Sequence, residues 1–175
     1  MRKLKILLMT AIFTMMIAAV ACAGGREYAV EEFALRYTVS NGAFVDIVPK
    51  KTTAGEVAEL FGEDFERSDF HEGVIFTVKM EYPSGVKIWL RGSDDKDFSE
   101  FGVIGYDVAG VAGLMIPCGI MVGSTVDELF EKLGEGQPFT DYKGKTMYIY
   151  EKMPYQLAVE HKEGKIVNFS LGCES

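Results

Sequence analysis

Catalysis needs a nucleophile beside a base, or a cluster of metal ligands. This 175-residue chain offers few of either. Its two histidines are His71, within Ser68-Asp69-Phe70-His71-Glu72-Gly73, and His161, which ends a strand before Lys162. Neither has a neighbour at ligand spacing such as H-x-x-x-H or C-x-x-C, so both read as solvent-facing loop or strand-end residues. There is no Gly-x-Ser-x-Gly elbow, phosphate loop or dinucleotide fingerprint. The acidic stretch Ser93-Asp94-Asp95-Lys96-Asp97-Phe98-Ser99-Glu100 has the oxygen chemistry of a Ca²⁺ loop. The EF-hand pattern fails because Glu100 stands where its invariant Gly is required. It reads as a solvated charged loop. Asn168-Phe169-Ser170 spells a glycosylation sequon inside a strand, a coincidence of composition. The expectation is a non-enzymatic protein with no metal and no cofactor.

Cysteine chemistry is more informative. Met1-Arg2-Lys3-Leu4-Lys5 is a basic start, and Ile6 to Val20 is an uncharged, mostly apolar run. Small residues follow, the order of a secretory signal peptide over residues 1–21. Ala19-Val20-Ala21-Cys22 resembles a bacterial lipobox, with Ala19 where Leu is usual. Cys22 is then the lipidation site and the mature N-terminus, and several acyl chains on it hold a protein firmly to a membrane. Ordinary cleavage is the rival, since both Ala19-Val20-Ala21 and Ala21-Cys22-Ala23 fit the A-x-A rule. An uncleaved anchor is a second rival, because the run to Ala23 sits at the lower edge of a membrane span. The expected address is the cell envelope, held by lipid, or else a secreted or periplasmic soluble form.

Cys118 and Cys173 remain. Val167, Phe169 and Leu171 alternate on one strand face, and Cys173 continues their phase. Cys118 lies in the apolar stretch Leu114 to Ile120. Two cysteines facing one core in an oxidising compartment are expected to pair. Such a bridge is worth about 4 kcal/mol in the chain-entropy account. The alternative is two buried thiols acting as small hydrophobes.

Surface recognition is the remaining chemistry. On the strand Val86 to Arg91, Trp89 falls opposite Val86, Ile88 and Leu90, beside Lys87 and Arg91. Tyr148 and Tyr150 share a face opposite Met147 and Ile149. Interface hot spots are enriched in Trp, Tyr and Arg, so these five residues are the expected partner-binding positions. The competing reading buries those faces inside the protein, with Trp89 between two units. Lys and Arg total 18 against 26 Asp and Glu, and three of the basic residues lie in the leader. That acidity argues against nucleic acid and favours basic partners with salt-sensitive association.

The elements that position these residues follow a duplication. Thr53-Ala54-Gly55-Glu56-Val57-Ala58-Glu59-Leu60-Phe61-Gly62-Glu63 aligns with Thr125-Val126-Asp127-Glu128-Leu129-Phe130-Glu131-Lys132-Leu133-Gly134-Glu135. Each opens on Thr-x-x-Glu, a capping box, and closes on Gly. Each has apolar residues at helical spacing: Val57, Leu60 and Phe61; Leu129, Phe130 and Leu133. Two short helices are predicted, each needing a surface to lie on. Strands are expected after them at Val74 to Met80, Val86 to Arg91, Met147 to Lys152, Tyr155 to His161 and Ile166 to Leu171. Strands are expected before them at Phe44 to Val48 and Leu114 to Ile120. Asn41-Gly42 predicts a hairpin from Phe33–Val39 to Phe44. Val30, Phe33, Ala34 and Tyr37 also fit a helix. Phe101 to Tyr106 links or pairs the units. The fold class is α+β, two tandem units each with a short helix on an antiparallel sheet. Residues 1–21 are the signal segment, 22–32 a linker, 33–100 the first unit and 101–175 the second.

The stretch Ile120 to Gly134, followed by hairpins and Gly164-Lys165-Ile166-Val167-Asn168-Phe169, resembles the repeats of β-lactamase inhibitor proteins. It also resembles the small lipoprotein of the outer-membrane barrel-assembly machinery. The resemblance implies a small α/β fold that binds other proteins and does no chemistry. The resulting expectation is an exported, lipid-anchored envelope protein that recognises a protein or peptide. The alternative is an extracytoplasmic lipoprotein binding a small solute or metal between its units.

Overall fold

Thr53 and Thr125 occupy equivalent positions ahead of the two helices α1 (Ala54–Phe61) and α2 (Val126–Leu133). Each Thr hydroxyl accepts from the amide of the Glu three residues on, at 3.4 and 3.2 Å. Each Glu carboxylate accepts in return from the Thr amide, at 2.8 and 2.7 Å. Both helices stop at a glycine with positive φ, Gly62 at 88° and Gly134 at 83°, where a Cβ would be strained. The computed structural model describes residues 27–39, 42–110 and 113–173. Among these, no helix is long and apolar enough to cross a membrane. The leader and Cys22 lie outside the described residues.

The chain enters through a 3-10 turn at Val30–Phe33, then pairs β1 (Leu35–Thr38) with β2 (Phe44–Ile47) as an antiparallel hairpin. Both rival readings of this stretch are therefore met in part, a helical turn first and a strand after it. Then come α1 and the strands β3 (Glu66–Glu72), β4 (Ile75–Glu81), β5 (Lys87–Ser93) and β6 (Gly102–Ala109). A two-residue strand β7 (Leu114–Met115) pairs back onto β1. After α2 follow β8 (Gln137–Thr140), β9 (Thr146–Lys152), β10 (Tyr155–Lys162) and β11 (Lys165–Cys173). One sheet has the order β2-β1-β7; the other has eight strands in the order β3-β4-β5-β6-β11-β10-β9-β8, all antiparallel.

Two expected boundaries move. Ser68–Glu72 is not a loop: it lies in β3, paired residue for residue with β4, and only Gly73 belongs to the turn that follows. Its residues Glu-Arg-Ser-Asp-Phe-His-Glu lack apolar alternation because the strand is an edge with nearly every side chain exposed. The strand expected over Leu114–Ile120 ends at Met115. Pro117 cannot donate to a ladder, and the Gly119 amide donates instead to the Ile116 carbonyl at 2.8 Å, closing a turn.

Period-two alternation decides what is buried. Val78 and Met80, Ile88 and Leu90, Val103 and Val108, Leu157 and Val159 point to one face of the large sheet and are fully covered. They join Val57 of α1, Leu129 and Leu133 of α2, and Phe33, Leu35, Ile47 and Ile116 in one core. Every buried side chain of the two helices belongs to this core. Tyr106 crosses it, its hydroxyl donating to the Phe33 carbonyl at 2.8 Å. The seam between β6 and β11 is tight. A Cβ on Gly105 would lie 2.3 Å from the Leu171 carbonyl oxygen.

Candidate functional site

The face of the large sheet turned away from this core carries the side chains that remain available. Trp89 lies there between Lys79 of β4 and Gly105 of β6. It is half-buried, because Phe70 of β3 leans against it with ring centroids 5.8 Å apart. Phe70 itself is 43% exposed and Ile75, on the same side, 44%. Gly105 has no side chain to fill the space on the other flank of Trp89. A depression of about 340 Å³ opens there, lined by Trp89, Ile104, Asp107, Ser170, Gly172 and Cys173 among others.

Cations surround the aromatic pair unequally. Lys79 and Lys87 both reach Glu81, at 2.5 and 3.4 Å. The Lys79 hydrogen bond, more than that of Lys87, holds the Glu81 carboxyl below its ordinary pKa. Arg91 has its Nε buried with no hydrogen-bond partner. A guanidinium N–H withdrawn from water and left unmet is costly. Trp89, Lys87 and Arg91 are thus brought together as the sequence phase implies, with Phe70 added. The signal for Phe70 was hidden in a stretch that reads as polar loop.

Tyr148 and Tyr150 do not join them. They share a face with each other and lie opposite Met147 and Ile149, but that face is the core side. Tyr150 is 2% exposed and its hydroxyl donates to the Gly134 carbonyl at 3.0 Å. Burial, first among several causes, pushes its phenol pKa up. Tyr148 packs edge-on against Phe130 of α2 at 4.7 Å and stacks on His161 at 5.0 Å. Alternation shows which residues share a face and not which face is inward. Here the helix covers the aromatic side and offers its terminal carbonyl to a hydroxyl. His161 is accordingly half-buried, whereas His71 is exposed on the edge strand, as expected, and lies edge-on to Phe76 at 4.2 Å.

Cys118 and Cys173 are thiols and form no bridge. Cys173 ends β11 opposite Tyr155, as its strand phase implies. Cys118 sits instead in the turn after Pro117, whose carbonyl accepts from Arg36 at 3.1 Å. Burial pushes the Cys118 thiol pKa up, which disfavours the reactive thiolate. Among the described residues no group of three His, Cys, Asp or Glu could hold a metal ion. Asp95, in the acidic loop, takes the hydroxyl of Ser93, and this hydrogen bond lowers its pKa.

The chain matches no protein-family description and no curated protein. It is similar in fold to a DUF4309 family protein from Bacillus subtilis, at 18% identity over 73% of this chain and 82% of that one, with a TM-score of 0.42. A cysteine-rich secretory protein from Staphylococcus aureus matches at 11% identity and TM-score 0.41, over 72% of this chain and 48% of its own. A candidate β-lactamase inhibitor protein from Streptococcus mutans matches at 10% identity and TM-score 0.31, over 81% of this chain and 91% of that one.

Proposed function

We propose that this chain is a non-enzymatic binding protein of the bacterial cell envelope, exported by its leader and anchored through a lipid on Cys22. It recognises a protein or peptide through the outer face of the eight-stranded sheet. The observation that carries this reading is the Phe70–Trp89 pair beside the unmet Arg91 Nε, at the edge of a depression floored by glycine. A partner segment placing an apolar side chain in the depression and an acceptor at Arg91 fits that surface. The chain's acidity favours partners that are basic elsewhere and makes association salt-sensitive.

The fold is read as two copies of one unit, helix followed by four strands. The order α1-β3-β4-β5-β6 and the order α2-β8-β9-β10-β11 meet at β6 and β11, which supports the duplication. On this reading β6 completes the first unit and the division falls after Ala109 rather than at 100.

Affinity capture from cell envelopes, comparing the chain with Trp89→Ala and Arg91→Gln, tests the reading. One protein should be retained by the parent and lost by both variants. Equal capture by parent and variants would refute the sheet-face assignment.

A further inference from the structure

A second built feature lies at the C-terminal end of α1, apart from Trp89. Six aromatic rings run in a row there, the last being Phe101, 5.8 Å from Phe98. Tyr37 meets Phe61 at 5.2 Å, Phe61 meets Tyr82 at 5.3 Å, Tyr82 meets Phe65 at 5.5 Å, and Phe65 meets Phe98 at 6.3 Å. Two clefts of about 470 and 340 Å³ flank the row, and both are lined by Asp64, Tyr82 and Pro83. Tyr82 is only 4% exposed, yet its hydroxyl has no hydrogen-bond partner. A buried hydroxyl left unmet is uncommon and asks for an explanation.

The electrostatics of the clefts are one-sided. Asp64 lines both and Glu66 one of them; among the described residues neither is ion-paired. Glu81 also lines the first but is already met by Lys79 and Lys87. The carbonyl end of α1 adds partial negative charge, and its last turn holds no basic residue, whereas α2 carries Lys132 there. Further along the row a cation is already in place, with the Arg67 guanidinium 4.2 Å over Phe98. Among the described residues no cation stands over Tyr37, Phe61 or Tyr82.

We infer that the smaller cleft binds an alkylammonium cation, seated against the faces of Tyr37, Phe61 and Tyr82 with Asp64 as its counter-charge. Aromatic faces attract organic cations through their quadrupole. A hard metal ion would need six or more oxygen ligands, which the rings do not supply. A primary ammonium would in addition donate an N–H to the Tyr82 hydroxyl oxygen, which a quaternary ammonium cannot. The inference does not rest on the sheet-face reading, since it uses different residues.

The test titrates the full chain with choline, with Nα-acetyl-lysine amide and with the neutral carbon isostere of choline, following the ring resonances of Tyr37, Phe61 and Tyr82 by NMR. Saturable shifts in the millimolar range are expected for the cations and none for the isostere. Asp64→Asn should weaken binding about three- to fivefold, and Phe61→Leu about fivefold or more. Trp89→Ala should leave it unchanged. Choline alone binding would identify a free quaternary ammonium as the occupant; lysine amide alone would identify a peptide side chain. Equal binding of the isostere would overturn the inference. So would indifference to Asp64→Asn and Phe61→Leu, or the absence of saturable shifts with either cation.

Discussion

Tyr82 and Tyr155 each bury a phenol whose hydroxyl finds no partner. Desolvation pushes both from 10.0 up to about 12. Between those values the folded chain keeps protons that the unfolded chain has lost. Stability from these groups is therefore complete below pH 10 and falls as pH rises toward 12. An alkaline unfolding series followed by phenolate absorbance should show a cooperative rise in that window. Tyr82→Phe should retain stability to higher pH, because it removes one of the buried acids. Parallel loss of stability in parent and variant would mean that Tyr82 ionises as freely folded as unfolded. Burial pushes the Tyr106 phenol up as well, but its hydroxyl is matched to the Phe33 carbonyl. Tyr106→Phe strands that carbonyl in the core and should cost about 1–3 kcal/mol in urea unfolding.

At the scale of elements, the two capping boxes fix where α1 and α2 begin. Thr53→Ala and Thr125→Ala should each lower stability by about 1 kcal/mol, measured by denaturant unfolding. A loss at only one site would mean that tertiary contacts, not the cap, hold that helix start. These helices were legible because capping is local: Thr, Glu and Gly act within a few residues of one another. The strands with alternating apolar residues, β4, β5, β9 and β10, were legible for the same reason. β3 was not, since an exposed edge strand has no buried side to mark in the sequence. The aromatic row was also hidden, because its members come from β1, from α1 and the residues after it, from the turn after β4 and from the segment before β6. The outward phase of Trp89 followed from its neighbours. The inward phase of Tyr150 depended on where α2 returns to the sheet, a long-range fact. The expected bridge between Cys118 and Cys173 is not formed, and Cys118 sits in the turn that contains Pro117 rather than on a strand.

At the scale of the whole molecule, the eight strands form one sheet only because β6 and β11 pair in its middle. That seam is closely packed. Gly105 approaches the Leu171 carbonyl so closely that a methyl group would sit 2.3 Å from backbone oxygen, with no flexible side chain to give way. Gly102, on the same strand, has nothing within 4 Å of where its Cβ would be. The two glycines therefore form a matched pair. Gly105→Ala should destabilise by about 1–3 kcal/mol or more, since a packed backbone must shift. Gly102→Ala should stay within about 0.5 kcal/mol of the parent. Urea midpoints at constant slope would measure both. Should the seam be a loose junction, both substitutions would be tolerated alike. A tight seam has a further consequence: the depression beside Trp89 is floored by Gly105 and Gly172, so spreading β6 from β11 deforms it. Gly105→Ala should then weaken partner capture even at temperatures where the variant remains folded, whereas Gly102→Ala should not.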